Sequence, residues 1–518
     1  MNNQKPILEK TRKIGHVIYG RSVIVLLALA INFMLLFGLL LGIADSYPYL
    51  FGGTVLSTAI ILIAILNTRE DPTIKLTWVI IIAVLPVFGT LLYLFIRCDL
   101  GHRMEKKAMQ QSIEMSNPYV PDNTQIMEQV RQTDKNLYNL AFYLKNTYSG
   151  HLYGNTDVTY FPLGEKKFEA MLEQIAKAKK FIFLEYFSIA PSYMWNTIEE
   201  LLIQKTSSGV EVRVMYDGGS SINYLPPNYP KKLAKYGIQC KVFSPFRPLI
   251  STHYNNRDHR KILIIDGKVG FTGGVNLLDR YINKREVFGH WKDTAVMLQG
   301  DGVRGLTFMF LQMWNANEKN PVYTPYLTEV TATDISKGVV IPYADSPLDH
   351  ELVGESVYLN ILNQAQDYVY IMTPYLIMDN QLTGAMCFAA KRGVKVKLIL
   401  PHIPDKKYAF ALAKTHYKEL AEAGVEIYEY TPGFVHAKVF LADDKEAVVG
   451  TINLDYRSLY LHFECAAYMY KVSALKDIKA DFDDTLAKCE LITMESIQNH
   501  GLLTRISGII LKVFAPLM

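Results

Sequence analysis

The second half of this sequence repeats the first, and the repetition constrains the fold more than any other feature. Ser208–Met215 reads SGVEVRVM and Arg392–Ile399 reads RGVKVKLI. Tyr236–Ile238 and Ala423–Val425 form a second matching pair. The copies are separated by a nearly constant spacing of about 180 residues, as expected of a duplicated unit. The chain is therefore predicted to contain two similar units, at 137–330 and 331–518.

Helical and strand patterns alternate within each half, which indicates the fold class α/β. In the first half, the apolar stripe of Phe168, Met171, Leu172 and Ile175 has helical spacing and precedes the strand-like run Phe181–Phe187. A polar stretch at 99–136 separates this α/β part from the N-terminal region and is predicted to be a linker. The remaining predicted elements are the helices around Ile198–Ile203, Leu352–Leu362 and Leu382–Ala390, and the strands Val210–Met215, Tyr368–Met372 and Val394–Leu400.

The first hundred residues are strongly apolar. Three runs, Ser22–Ala44, Leu50–Leu66 and Leu76–Ile96, carry no charged residue. Their lengths suit a hydrocarbon core of roughly 30 Å. We therefore expect a basic N-terminal tail at 1–21 and a membrane anchor at 22–98 with two or three transmembrane helices. This predicts a multi-pass protein of the cell membrane. Basic residues flank both ends of the anchor. The charge distribution therefore does not indicate on which side of the membrane the active site lies.

Each half carries one copy of the pattern HxKxxxxD, and each copy is followed by a glycine turn and an asparagine. Two intact copies at the spacing of the duplication are a stronger signal than one short motif. We therefore predict one composite site that both halves form together. Its predicted catalytic residues are His259, Lys261, Asp266, His436, Lys438 and Asp443, with Asn276 and Asn453 as phosphate-binding residues.

The residue types in the pattern suit phosphoryl transfer. Alternation along a strand would place His259 and Lys261 on one face. One imidazole can attack phosphorus while the other protonates the leaving oxygen, which requires one neutral and one protonated ring. The lysines and asparagines would hold the non-bridging oxygens. No carboxylate cluster has metal-ligand spacing, and the five cysteines form no CxxC pair. We therefore predict a metal-free site without a cofactor.

Several segments around the motifs resemble the bacterial cardiolipin synthases of the phospholipase D superfamily, whose HKD motifs are the two patterns above. The resemblance implies two phospholipase D-like α/β/α units with mixed sheets in a pseudo-twofold arrangement, preceded by transmembrane helices. It extends from about Leu50 to the C-terminus. The segments that carry it are Asn256–Ile262, Phe271–Asn276, Trp291–Thr294, Gly450–Ser458 and Phe463–Glu464.

The resemblance also implies an activity and a division of labour. Two phosphatidylglycerol molecules would give cardiolipin and glycerol through a phosphohistidine intermediate. The histidine of the first motif is usually the nucleophile in the superfamily, which implies His259 as nucleophile and His436 as general acid. Asp293 and Glu464 would orient the two imidazoles, whereas the motif aspartates would support the fold. The implied partners are phosphatidylglycerol and membrane lipid; the oligomeric state stays open.

Other functions fit parts of the pattern. A phospholipase D-type hydrolase, or a transferase with another alcohol acceptor, would use the same motifs. A nuclease needs no apolar anchor, and a net charge of +4 argues against a nucleic-acid partner. An inactive lipid-binding scaffold would not need two intact motifs. The amphipathic tail Leu502–Leu517 fits a membrane-surface helix and a helix docked on the domain equally well.

Overall fold

The computed structural model describes residues 30, 32–34, 37–38, 41, 48–97, 100–245, 256–330, 335–349, 351–499 and 502–517. The chain divides into two compact units. One comprises Met1–Met104, Phe246–Tyr254 and Pro516–Met518, and the other comprises Glu105–Pro245 and Asn255–Ala515. The predicted basic tail lies outside the described residues, and so does most of the predicted apolar segment 22–44.

From residue 48 to residue 97, the first unit forms three apolar helices, Pro48–Leu66, Pro72–Val84 and Pro86–Arg97. Asp71 begins the second of them by accepting the Thr73 backbone N–H at 2.8 Å. Trp78 and Tyr93 meet edge to face, with ring centroids 5.3 Å apart, and help to bury a small apolar core. These contacts hold the helices together.

The structure does not support the predicted transmembrane helices. Among the residues that it describes, no helix is both long and apolar enough to cross a membrane. The predicted apolar run Leu76–Ile96 is divided between two helices, because the first ends at Val84 and the second begins at Pro86. Proline has no N–H to donate to the preceding turn, which accounts for a helix boundary at this position.

The second unit contains one large sheet from each half of the duplication. The strands of the first half are β1 (Thr156–Phe161), β2 (Phe181–Tyr186), β3 (Glu211–Asp217), β4 (Gln239–Phe243), β5 (Lys261–Ile265), β6 (Val269–Gly273), β7 (His290–Lys292) and β8 (Ala295–Gly300). In the first sheet the strand order is β1-β8-β6-β5-β2-β3-β4; β2, β3 and β4 run parallel to one another, and the other pairs are antiparallel.

The second large sheet repeats the topology of the first. Its strand order is β9-β18-β16-β15-β10-β12-β13 with β19 added at one edge, which confirms the predicted pair of α/β units with mixed sheets. The strands of the second half are β9 (Val339–Asp345), β10 (Tyr368–Met372), β11 (Leu376–Ile377), β12 (Lys395–Pro401), β13 (Glu426–Tyr430), β14 (Gly433–Val435), β15 (Val439–Ala442), β16 (Glu446–Gly450), β17 (Leu454–Asp455), β18 (Glu464–Tyr470) and β19 (Cys489–Leu491).

The two sheets share one apolar core. Phe183 and Ile264 of the first sheet belong to the same buried cluster as Met372 and Val439 of the second. The outer faces are covered by helices, so the central strands are buried on both sides, as their apolar sequences require. After residue 150, the described α-helices of this unit are Gly164–Lys177, Tyr193–Ser207, Tyr229–Ala234, Val303–Asn315, Val353–Gln364, Asn380–Lys391, Lys407–Glu422, Tyr456–Tyr460, Leu475–Leu486, Met494–Gln498 and Leu502–Phe514.

The predicted linker 99–136 is mostly helical. It contains the helices Leu100–Ser116 and Thr124–Thr133, and a third helix, Lys135–Asn146, follows at once. Apolar residues of the last two helices, among them Val130 and Leu144, lie in the buried core of the second sheet. The structure therefore differs from the predicted division at residue 137. The reason is that an apolar helix face is satisfied by either sheet, so its sequence does not specify its partner.

The C-terminal helix Leu502–Phe514 is docked against the helix Lys407–Glu422. At Gly508, an added Cβ would lie 2.6 Å from Thr415 Cγ2 and 3.3 Å from the backbone oxygen of Ala411. Glycine therefore allows this close approach. The sequence predicted either a membrane-surface helix or a helix docked on the domain, and the structure shows the docked helix.

Candidate active site

Both motif histidines lie just before a strand. The sequence predicted His259 within the strand, but β5 begins at Lys261 and β15 begins at Val439. The difference arises because the backbone N–H of each histidine hydrogen-bonds to the opposite half of the duplication and not to a strand of its own sheet. The His259 backbone N–H donates to the carbonyl oxygen of Phe463 at 2.9 Å, and the His436 N–H donates to that of Lys292 at 2.7 Å.

This main-chain pairing brings a carboxylate from one half to the imidazole of the other. Glu464 follows Phe463, and its two oxygens lie 2.8 and 2.9 Å from His259 Nδ1. Asp293 follows Lys292, and its Oδ2 lies 2.7 Å from His436 Nδ1. All four side chains are buried. The residues predicted as supporting carboxylates therefore contact the two imidazoles, each from the opposite half of the duplication.

The second residue of each glycine turn lies beside the supporting carboxylate of its own half. At Gly274 an added Cβ would lie 2.0 Å from Asp293 Oδ1, so a larger residue would displace that carboxylate. The matching position in the other half is Thr451, whose hydroxyl donates to Glu464 Oε2. The Thr294 N–H donates to Asp293 Oδ1 at 2.9 Å. Each carboxylate is thus fixed by its own half while it holds the imidazole of the other.

The two motif lysines are buried beside the histidines. Lys261 Nζ donates to the carbonyl oxygen of His259 at 2.5 Å. Lys438 Nζ donates to the carbonyl oxygen of His436 and also lies 2.9 Å from Nδ1 of that ring. Burial disfavours the charged amine, so it lowers the pKa of Lys261 to about 8 and that of Lys438 to about 7.

Both imidazoles are neutral in this site. Burial, reinforced by Lys261 and Lys438, holds the pKa of His259 well below its ordinary value. Burial, and to a smaller extent the charge of Lys438, lowers the pKa of His436 to about 3, although Asp293 acts in the opposite direction. The sequence predicted one neutral and one protonated ring. The pKa shifts of the free protein do not distinguish the two rings, because burial acts in the same direction on both.

The two predicted phosphate-binding asparagines are both buried but are held differently. Asn276 Oδ1 accepts the Ser188 N–H at 3.1 Å, and its Nδ2 donates to the Tyr281 hydroxyl at 2.9 Å. Asn453 Nδ2 lies 3.4 Å from Asp455 Oδ2, and its Oδ1 makes no hydrogen bond within the described part of the chain. An amide nitrogen has two hydrogens, so each asparagine keeps one donor for a ligand.

The motif aspartates bind main chain and do not contact the histidines. Asp266 and Asp443 both have a positive φ, of 55° and 54°. Each caps the turn before the strand that neighbours its own, and each accepts three backbone N–H groups at 2.7–2.9 Å. The donors to Asp266 are Lys179, Lys180 and Phe181, and those to Asp443 are Gln366, Asp367 and Tyr368.

Several residues around the site were not predicted. The Phe187 ring lies 4.8 Å from the His259 ring, and the Tyr281 ring lies 5.3 Å from the His436 ring. Lys167 is fully buried, and its Nζ donates to the carbonyl oxygen of Val275 at 3.3 Å. Burial lowers the pKa of Lys167 to about 7. In the sequence this lysine borders an apolar helical stripe and looks like an ordinary surface residue.

One group of side chains has the donors for a metal ion. Ligand atoms of His259, His462 and Glu464 lie within 4.8 Å of one another; no other such group occurs among the described residues. His462 was not among the site residues predicted from the sequence. Burial lowers its pKa to about 3, so this imidazole is also neutral.

Comparison with known protein families matches both halves of the duplication. Residues 171–300 and 358–486 match the model "Cardiolipin synthase, PLD-like domain". Residues 55–97 match the model "Phospholipase_D-nuclease N-terminal". The first pair of matches includes both HKD motifs, both asparagines, Asp293 and Glu464. The cardiolipin synthase model thus covers half of the chain, and the N-terminal model covers the region of the apolar helices.

Individual relatives extend the similarity to most of the chain. A cardiolipin synthase of Halalkalibacterium halodurans is 31% identical over 461 residues, which are 88% of this chain and 91% of the relative. An uncharacterised protein of Streptococcus mutans is 53% identical over 88% of this chain and 98% of its own length. The solved phosphatidylserine synthase of Haemophilus influenzae has a TM-score of 0.55 at 14% identity, covering 70% of this chain and 93% of that one, and shows the same fold.

Proposed function

The chain belongs to the cardiolipin synthase family of phospholipase D-like enzymes, and on that premise we propose that it joins two phosphatidylglycerol molecules into cardiolipin and releases glycerol. Family membership makes the chain a phosphatidyltransferase. The choice of phosphatidylglycerol as both donor and acceptor is our proposal. So are the roles of the individual residues.

The observation that carries the proposal is the crossed pairing of the two halves. Each half supplies one imidazole and the carboxylate that holds the other imidazole, at 2.7–2.9 Å. In both pairs the carboxylate binds Nδ1, which leaves Nε2 of each ring to face a substrate. Two such rings with two buried lysines suit a phosphodiester bound between the halves, since its charge would be met by the amines.

In the first half-reaction, His259 Nε2 attacks the phosphorus of phosphatidylglycerol. The bond from phosphorus to the glycerol oxygen breaks, and a proton from His436 Nε2 neutralises the leaving alkoxide. The products are glycerol and a phosphatidyl group on His259. Glu464 stabilises the positive charge that the ring then carries. The negative charge of the bound phosphodiester raises the pKa of His436, so the ring takes up a proton from water for the first turnover; in later turnovers it holds the proton taken from the lipid hydroxyl in the second half-reaction.

In the second half-reaction, a second phosphatidylglycerol enters where glycerol has left. Its terminal hydroxyl gives its proton to the now neutral His436 and attacks phosphorus, the bond from phosphorus to His259 breaks, and cardiolipin forms. Lys261, Lys438, Asn276 and Asn453 donate to the phosphate oxygens in both steps. Water in place of the lipid alcohol would give phosphatidic acid instead, so the products identify the acceptor.

The test is a product assay with purified protein and phosphatidylglycerol labelled in both the glycerol headgroup and the acyl chains. We expect cardiolipin and free glycerol in equal amounts, measured by thin-layer chromatography and mass spectrometry. Phosphatidic acid as the only lipid product would identify a hydrolase. Adding phosphatidylethanolamine or another alcohol to the vesicles tests other acceptors, and a new mixed product formed in preference to cardiolipin would contradict our assignment.

Chelation is expected to leave turnover intact. The proposed chemistry uses lysine and asparagine donors where other phosphoryl-transfer enzymes use a metal ion. Turnover in phosphatidylglycerol vesicles would be measured before and after dialysis against EDTA. Loss of activity that one specific divalent ion restores would reject the metal-free mechanism.

The ratio kcat/KM is expected to fall on the alkaline side at an unusually low pH. It reports the free enzyme, in which the pKa of Lys438 is about 7 and that of Lys261 about 8. As the pH rises through these values the amines lose their charge and with it their attraction for the phosphate. The alkaline fall in kcat should occur at a higher pH than the fall in kcat/KM, because bound phosphate raises the pKa of both amines. A kcat/KM profile that is flat to pH 9 would contradict this account.

We further propose that the first unit attaches the enzyme to the cell membrane. Val55, Leu56, Ile60 and Ile63 on the helix Pro48–Leu66 expose more than half of their side-chain surface. Such an apolar surface favours contact with lipid.

Deletion of residues 1–45 tests whether this attachment depends on the segment before that helix. The truncated protein is expected to stay with the membrane fraction after an alkaline carbonate wash and to retain activity, because the exposed apolar helices remain. Release of the truncated protein into the supernatant would show that the attachment resides in the deleted residues.

A further inference from the structure

The two halves of the site differ at the residue that lies two positions before each supporting carboxylate. In one half this residue is Trp291, whose ring lies 5.2 Å from the ring of His436. In the other half it is His462, whose ring lies 5.3 Å from the ring of His259. The planes are tilted by 38° and 43°, so the two side chains occupy equivalent places. An indole therefore supports one motif histidine, and an imidazole supports the other.

The His462 side chain is buried, and the only carboxylate that pairs with it within the described part of the chain is that of Glu464. Only 7% of the residue is exposed, and neither ring nitrogen makes a hydrogen bond within the described part of the chain. Its Nδ1 lies 3.6 Å from Glu464 Oε1, beyond hydrogen-bond range. Burying an imidazole whose two ring nitrogens make no hydrogen bond costs free energy. The position therefore calls for a ligand that uses its nitrogen.

We propose that His462, His259 and Glu464 form a Zn²⁺ site that inhibits the enzyme when it is filled. Their ligand atoms already lie within 4.8 Å of one another. Ligand atoms around tetrahedral zinc are about 3.3 Å apart, so small side-chain shifts close the site. Two neutral imidazoles and one carboxylate are a preferred donor set for zinc, and the fourth position is left for water or a phosphate oxygen.

Zinc at this site would remove the nucleophile. In the free protein His259 Nδ1 carries the proton that bonds Glu464, and Nε2 holds the lone pair that attacks phosphorus. Zinc bound to Nδ1 takes the place of that proton, and the neutral ring then carries its hydrogen on Nε2. The lone pair needed for attack is lost. This inhibitory consequence rests on the proposed role of His259, whereas the binding of zinc does not.

Because the two halves differ, only the His259 side of the described site offers three zinc ligands. Around His436 the corresponding side chains are Asp293 and Trp291, and an indole offers no ligand atom. Two ligands hold zinc far more weakly than three. Substitution of His462 therefore removes the third ligand, and His462→Trp copies the arrangement that the other half already has.

The experiment measures zinc binding and inhibition in the full-length protein in detergent, at free Zn²⁺ concentrations set by a chelating buffer. Bound zinc is determined by competition with a chromophoric chelator, and Co²⁺ in place of zinc reports four-coordination through its visible absorption. The variants are His462→Asn and His462→Trp. The matched control is His402→Asn, because His402 Nδ1 also pairs with a carboxylate, that of Glu429 at 3.1 Å, without a third ligand nearby.

The wild type and His402→Asn are expected to bind one zinc ion and to lose turnover in parallel with its binding. Both His462 variants are expected to bind zinc at least about tenfold more weakly. Their inhibition, scaled to the metal-free turnover of each variant, should weaken by the same factor. Zinc bound equally well by the His462 variants, or no zinc bound by the wild type, would overturn the site. A wild type that binds zinc through His462 but makes no cardiolipin would leave the site standing and refute the proposed function instead.

Discussion

Replacement of His259 by alanine is expected to lower the turnover of phosphatidylglycerol by at least about 10²-fold, the usual scale for a group of this kind. The variant keeps Glu464 and both lysines, so it should still bind lipid. It lacks the nitrogen that carries the phosphatidyl group, and neither half-reaction can proceed through another residue. Steady-state turnover in phosphatidylglycerol vesicles is the measurement, and KM should change far less than kcat.

The matched variant is His436→Ala, which keeps the nucleophile and loses the acid. Its turnover should fall by a similar factor, because His436 is the acid of the first half-reaction and the base of the second, but the variant should still form a phosphatidyl group on His259, at a reduced rate. The control is His402→Ala, since that histidine lies outside the site and should leave turnover unchanged. Turnover of His259→Ala within tenfold of the wild type would exclude His259 as the nucleophile.

Replacement of Asp266 by alanine is expected to destabilise the fold and to spare the chemistry. The carboxylate accepts three backbone N–H groups, and hydrogen bonds to charged groups contribute roughly 1.5–3 kcal/mol each. Two of the three donors lie at exposed residues where water can replace the carboxylate. We therefore expect a loss of about 3 kcal/mol in the free energy of unfolding, seen as a lower midpoint of thermal unfolding.

Asp443→Ala is the natural companion, because Asp443 makes the same three contacts in the other half. Glu173→Ala serves as control, since its ion pair with Lys177 is exposed and should contribute little. At a temperature where the variants are folded, kcat should stay within a few-fold of the wild type. Normal thermal stability combined with loss of kcat would show that the motif aspartates act in the reaction.

The duplication and the two motifs could be predicted from sequence because they depend on local patterns. Alternating helix and strand signals indicated two α/β units, and the predicted strand Tyr368–Met372 matches β10 residue for residue. The resemblance supplied Asp293 and Glu464. What it did not supply was the reason for their positions, which is the main-chain bond from each histidine to the opposite half.

Other features depend on long-range packing and left no local signal. Lys167 has the sequence surroundings of a surface lysine, yet the fold buries it beside Val275. The helices 124–146 could have covered either sheet. Both histidines have lowered pKa values although different roles are proposed for them, because burial is common to both. The proposed role of His462 rests on a comparison of its ring with that of Trp291, which the fold alone makes possible.

The central claim is that His259 carries the phosphatidyl group between two lipid molecules. The most direct test mixes wild-type protein with labelled phosphatidylglycerol, quenches the reaction within one turnover and locates the adduct by mass spectrometry under conditions that preserve phosphohistidine. We predict one phosphatidyl group on the peptide that contains His259, with free glycerol released in equal amount. An adduct on His436 would reverse the assignment, and cardiolipin formed without any adduct would show direct displacement between the two lipids.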